Sequence, residues 1–153
     1  MADLKLKEGA GTKIVINKDA ALANGSRAAA DYDNSTDLDP ICDAILRVHY
    51  DTSAPAVGDS VAELYVLPSD GAATEVFPQG GDGTVGSNVD PQKTLMVGVF
   101  ESRSPTTTTD EVLAIQAISL RPKSSRFVIK NISGKQFNLT WQLDIRPFRG
   151  QSV

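Results

Sequence analysis

The sequence predicts an all-β fold: two antiparallel sheets packed as a sandwich, jelly-roll-like, with about eight strands. Three observations carry that expectation. Several segments alternate apolar and polar residues with a period of two, as a strand does when one face is packed and the other is wet. Gly, Pro, Asn and Asp punctuate the gaps between them at short intervals. No segment reads more convincingly as helix than as strand.

Residues 1–11 form an extended N-terminal arm. Leu4 and Leu6 alternate with Lys5 and Lys7 before Gly9-Ala10-Gly11 breaks the pattern, so the arm either frays or adds to a sheet edge of a neighbour. Residues 12–153 make a single sandwich domain. Its first strand, residues 12–17, centres on Ile14, Val15 and Ile16. Asn24-Gly25 marks a turn, and residues 26–33 continue as a strand although Ala28, Ala29 and Ala30 also suit a helix. In residues 41–50, Cys42, Ala44, Leu46, Val48 and Tyr50 share one face, while Asp43, Ile45, Arg47 and His49 take the other.

Residues 61–67 are a strand that stops at Pro68-Ser69-Asp70-Gly71, and a long Gly- and Asp-rich loop occupies residues 68–93. Residues 94–100 follow as a strand with Leu95, Val97 and Val99 together, then a Ser/Thr-rich linker over residues 102–110. Residues 111–120 fit helix or strand, and strand is preferred because the run is short and its neighbours are strands. Residues 126–131 form another strand. The last is expected where Phe137, Leu139, Trp141, Leu143 and Ile145 alternate with polar residues, ending at Pro147. Each of those five large side chains contributes roughly 1.5–3 kcal/mol when fully buried.

Composition narrows the function classes. At 153 residues, 41% hydrophobic and 22% charged, the chain matches one globular domain. It contains no apolar run of the roughly 18 residues a membrane-spanning helix needs. Its first residues lack the apolar core of an export signal, and the single Cys42 cannot form an internal disulfide; both fit a reducing cytoplasm. A formal charge of −4 argues against nucleic acid as a partner. The nearest basic cluster, Arg121, Lys123, Arg126 and Lys130, reads as a solvated face or as a patch for an acidic protein.

The candidate chemistry is thin. Gly81-Asp82-Gly83-Thr84-Val85-Gly86 spells G-x-G-x-x-G, but no strand leads into it and no helix follows, so dinucleotide binding is not expected. The acidic residues between Asp31 and Asp43, with Asp70, Asp82 and Asp90, lack EF-hand spacing and suit solvated turns. His49 is the only histidine and lies on the face opposite Cys42, which excludes a multi-His metal site and a Cys–His pair on that strand. Tyr32, Tyr65 and Phe77 are the candidates for a sugar-stacking platform. The Asn-x-Ser/Thr triplets at Asn24, Asn34, Asn131 and Asn138 carry no weight without an export signal. No catalytic residue, metal or cofactor is expected.

Four segments together resemble a family. Asp33-Asn34-Ser35-Thr36, the strand ending Arg47-Val48-His49-Tyr50, the run Glu63-Leu64-Tyr65-Val66-Leu67-Pro68-Ser69-Asp70-Gly71 with Phe77-Pro78-Gln79-Gly80-Gly81-Asp82-Gly83, and Arg126-Phe127-Val128-Ile129-Lys130-Asn131-Ile132-Ser133 are similar to small structural proteins of tailed bacteriophages. Gln79 stands where the family pattern has Asp directly after Phe-Pro. The resemblance spans residues 27–145 and implies a non-enzymatic virion protein, a head decoration or cement protein on the capsid exterior. It implies the major capsid protein and copies of the chain itself as partners, in a homotrimer, with no nucleic acid and no membrane. Leu4 and Leu6 on the arm, and Phe77, Asp82 and Val85 on the loop, are the expected partner-binding residues. The alternative is a carbohydrate-binding sandwich module of a tail fibre or baseplate.

Overall fold

The computed structural model describes residues 4–8, 14–16, 20–72, 77–78 and 90–152, with side-chain detail for the same residues apart from 4–8, 14 and 149–152. Nine strands lie within them: β1 (Leu4–Glu8), β2 (Ile14–Ile16), β3 (Arg27–Tyr32), β4 (Ile41–Val48), β5 (Ser60–Pro68), β6 (Met96–Glu101), β7 (Glu111–Ser119), β8 (Ser125–Asn131) and β9 (Gln142–Ser152). A 3-10 turn, Lys93–Leu95, leads into β6. One sheet has the order β1-β9-β4-β7, with β2 also on β9; the other has the order β3-β8-β5-β6. All the pairings are antiparallel. The protein is an all-β sandwich.

The core lies between the sheets and follows the alternation of the strands. On β4, Cys42, Ala44, Leu46 and Val48 are all fully buried, and Tyr50 continues the same row. Facing them across the core are Ala62 and Leu64 of β5 and Phe127 and Ile129 of β8, while Leu143 and Ile145 of β9 flank them in the same sheet. The three alanines of β3 form a strand because their cross-strand partners on β8 are Ile129, Val128 and Phe127. Small residues there leave room for large ones opposite, which is a packing reason that helix propensity does not capture.

Two expectations change. The alternation from Phe137 to Ile145 does not describe one strand. Phe137 makes only isolated bridges, to Leu22 and Tyr50, and Leu139 and Thr140 form a turn that leaves Leu139 49% exposed. Asn138 explains the turn: its side-chain oxygen accepts the Thr140 N–H at 3.2 Å, a local bond that competes with a ladder. Phe137 is still central, with its ring edge-on to both Tyr50 (centroids 5.8 Å apart) and Trp141 (5.9 Å). The second change is that β9 runs through Pro147 to Ser152. Pro147 pairs with Cys42 on one flank; on the other it falls between the residues paired with β2, up to Ile145, and those paired with β1, from Phe148. A missing donor is tolerated in such a gap.

Candidate partner-binding surface

The loop over residues 68–93 comes back onto the outer face of its own sheet. Tyr65, Leu67 and Val128 make a second, smaller apolar cluster there, and Ala29, Phe77 and Leu95 pack against it. This is why both faces of β5 are buried. Over Phe77 lies the Arg126 guanidinium, 4.2 Å from the ring centroid. That guanidinium is fixed by Asp31 through two bonds, at 2.6 and 3.0 Å. Stacked between a sheet and a pinned cation, Phe77 is held by its own domain; the contact adds about 1 kcal/mol to its burial.

The far end of the loop is tied by charge. Lys130 donates to Asp90 at 2.9 Å, and the buried Arg27 bonds the other carboxylate oxygen. The Lys130 bond, with the positive charges of Lys130 and Arg27, holds the Asp90 carboxyl below the usual carboxylate range. Three residues on, Lys93 donates to Glu63 at 2.7 Å and to the Tyr65 hydroxyl at 3.1 Å. Burial pushes the Glu63 carboxyl up, but the bonds from Lys93 and Tyr65 outweigh it and bring the group below its ordinary value. Lys93 is 67% exposed, so its pair adds little stability and chiefly sets position. Residues 79–89, including Asp82, Val85 and the whole G-x-G-x-x-G stretch, lie outside the described residues. Their flanks are anchored on one face of the sandwich.

The arm is the second feature. β1 pairs with β9 of the same chain, in the register Leu4↔Ser152 through Glu8↔Phe148. β4 reaches only as far as Phe148, its partner at Ile41. The pair β1–β9 therefore continues past the body as a two-stranded ribbon, and among the described residues β1 has a neighbour on one edge only. Leu4 and Leu6 occupy one parity of this ladder, opposite Ser152 and Gly150. Lys5 and Lys7 occupy the other, opposite Gln151 and Arg149. An isolated two-stranded ribbon is marginal in water, and an open edge is a template for another chain.

The remaining candidates are absorbed by the fold. Tyr32 and Tyr65 are 3% and 0% exposed, so they form no sugar-stacking platform. Tyr32 donates to the buried Asp39 at 3.0 Å. Cys42 is fully buried, and desolvation, with some help from Asp43, pushes its thiol up to about 12. Asn34 and Asn131, two of the Asn-x-Ser/Thr asparagines, are 1% and 0% exposed and bond neighbouring backbone. His49 Nδ1 lies 2.6 Å from Asp110, which fastens the Ser/Thr-rich linker to the end of β4. Of the basic cluster, Arg126 and Lys130 are committed to Asp31 and Asp90, and Lys123 donates to the Gly71 carbonyl at 2.8 Å.

Sequence reasoning missed Glu111. Its buried carboxylate accepts the backbone N–H groups of Arg103 and Ser104 at 2.9 and 3.0 Å, and the hydroxyls of Tyr50 and Ser102 at 3.1 Å each. Burial, followed by the charge of Glu111, raises the Tyr50 phenol. Glu111 opens β7 after the linker, and nothing local separates it from any solvated acid at a strand end. Among the described residues no group of three or more His, Cys, Asp or Glu side chains is placed to hold a metal ion. No helix there is long and apolar enough to cross a membrane. No protein-family model matches the chain, and no curated protein is recognisably similar to it.

Proposed function

We propose that the chain is a structural protein of a bacteriophage virion, a head decoration protein that binds the capsid exterior and stabilises it. Its partners on this reading are the major capsid protein and further copies of the chain, arranged as a trimer. We read the strand order, with six of the eight connections between consecutive described strands crossing between the sheets, as a jelly roll. The observation that carries the proposal is the β1–β9 ribbon. It extends beyond the sandwich, and the outer edge of β1 is unpaired among the described residues, a form suited to strand addition on a neighbouring subunit. The tethered loop supports it as a second surface element, set on a rigid face by Arg27, Lys130 and Glu63. Cementing of this kind works by buried area and paired edges, with no bond made or broken.

Co-sedimentation with purified undecorated heads tests the reading. The full chain is expected in the pellet at a saturable ratio, and a chain lacking residues 1–8 is expected to stay in the supernatant. Failure of the full chain to co-sediment would overturn the proposal.

A further inference from the structure

At one corner of the sandwich the two sheets part. Halfway along the edges, Gly98 of β6 lies so close to β7 that a Cβ on it would come within 2.7 Å of Ile115 Cδ1. Next to that contact the register of β6 on β5 slips between Leu64 and Tyr65, leaving Val97 without a partner on β5. The ends of β5 and β7 and the starts of β6 and β8 line an open cavity of about 230 Å³. Val66, Leu95 and Val97 line it with apolar surface, while Ser119, Arg121 and Ser125 supply the polar groups.

The charged group is not spent on the fold. The Arg121 guanidinium makes no hydrogen bond or ion pair among the described residues, unlike Arg126, Lys123 and Lys130 beside it. Its backbone is nevertheless fixed, because its carbonyl accepts Asn34 Nδ2 at 2.8 Å and Pro122 follows. Ser125 is 1% exposed and borders the cavity.

We propose that this corner binds small amphipathic carboxylates: a single carboxylate held by Arg121 and the hydroxyls of Ser119 and Ser125, with a short alkyl body against Val66, Leu95 and Val97. The guanidinium fork matches a carboxylate's two oxygens, and its single positive charge matches the carboxylate's one negative charge. The apolar lining disfavours a fully hydrated anion such as phosphate. The volume admits one side chain or a short acyl chain and is below that of a drug-sized site. The carboxylate belongs either to a free small acid or to the terminal residue of a peptide, and both present the same chemistry here.

Titration of the full chain with hexanoate, N-acetyl-leucine and hexylammonium, followed by backbone amide NMR, tests this. Hexanoate, N-acetyl-leucine or both should give saturable shifts at Val66, Val97 and Ser125, and hexylammonium should give none. Tighter binding of hexanoate identifies a free acid as the natural occupant, and tighter binding of N-acetyl-leucine a peptide terminus. Arg121→Gln, at an exposed position, should keep the fold and weaken binding at least about tenfold, or about 1.4 kcal/mol. Ser125→Ala should weaken it less. The proposal is overturned if neither carboxylate saturates by about 10 mM, a concentration past the weakest meaningful affinity. It is equally overturned if hexylammonium binds as well, or if Arg121→Gln binds like the wild type.

Discussion

The Asp43 carboxylate accepts the backbone N–H of Ala117 at 2.9 Å, and Ala117 sits in the left-handed region with φ at 56°. The two residues face each other where β7 carries one more residue than β4: Cys42 pairs with Ile118, but Ala44 pairs with Ile115. The bulge leaves the Ala117 amide without a ladder partner, and Asp43 supplies the acceptor. Left-handed backbone costs an alanine about 1–2 kcal/mol, and glycine's own flexibility costs about 0.5–1 kcal/mol. Ala117→Gly should therefore be neutral or stabilising by up to about 1 kcal/mol in urea unfolding. Asp43→Ala should cost about 1–2 kcal/mol. Clear destabilisation by Ala117→Gly would count against this bulge.

Glu111 should be far more sensitive. Ala at position 111 strands two backbone N–H groups and two hydroxyls in a buried site, a loss of about 3 kcal/mol or more. Gln keeps an oxygen for the N–H groups of Arg103 and Ser104 and turns its amide toward hydroxyls that can accept. Glu111→Gln should cost only about 1 kcal/mol. Equal losses for the two variants, measured by denaturant midpoint at constant slope, would contradict the network.

The seam between the sheets makes a paired prediction. Gly98→Ala pushes a methyl group into Ile115 and should destabilise by about 1–3 kcal/mol. Ile115→Val removes the nearest carbon, so the double variant should be more stable than the sum of the two single losses implies. Simple additivity would mean that β6 and β7 do not meet there.

Cys42 gives a pH dependence. Its folded thiol is raised to about 12, whereas in the unfolded chain it ionises near the ordinary value of about 8.5. Between those values the unfolded state has released a proton that the folded state retains, so stability is complete below about pH 8.5 and falls as pH rises toward 12. The slope from this one group is at most about 1.4 kcal/mol per pH unit. Cys42→Ala should flatten the decline of the melting temperature between about pH 8.5 and 9.5, below the range where the raised phenols of Tyr32 and Tyr50 matter. An unchanged slope would remove Cys42 as its cause.

Where one face is packed and one is wet, periodicity placed strands well, and β4 shows it: the row from Cys42 to Tyr50 is the buried row. The same reasoning failed at Asn138-Leu139-Thr140, because alternation of residue type does not distinguish a ladder from an Asx turn that preserves the pattern by coincidence. Pro147 was misread as an end because its tolerance depends on which flank of β9 is paired, a property of the sheet. The long loop was visible as a loop, but its attachment was not. Arg27 and Asp90 are 63 residues apart, and Arg126 and Asp31 are 95 apart, so no local signal joins them.

The thermal disruption of purified undecorated phage heads, with and without saturating chain, tests the proposed role most directly. Decoration should raise the disruption temperature, with the effect saturating at a fixed ratio of chain to capsid subunit and vanishing for a chain lacking residues 1–8. An unchanged disruption temperature at saturating chain would contradict a cementing role.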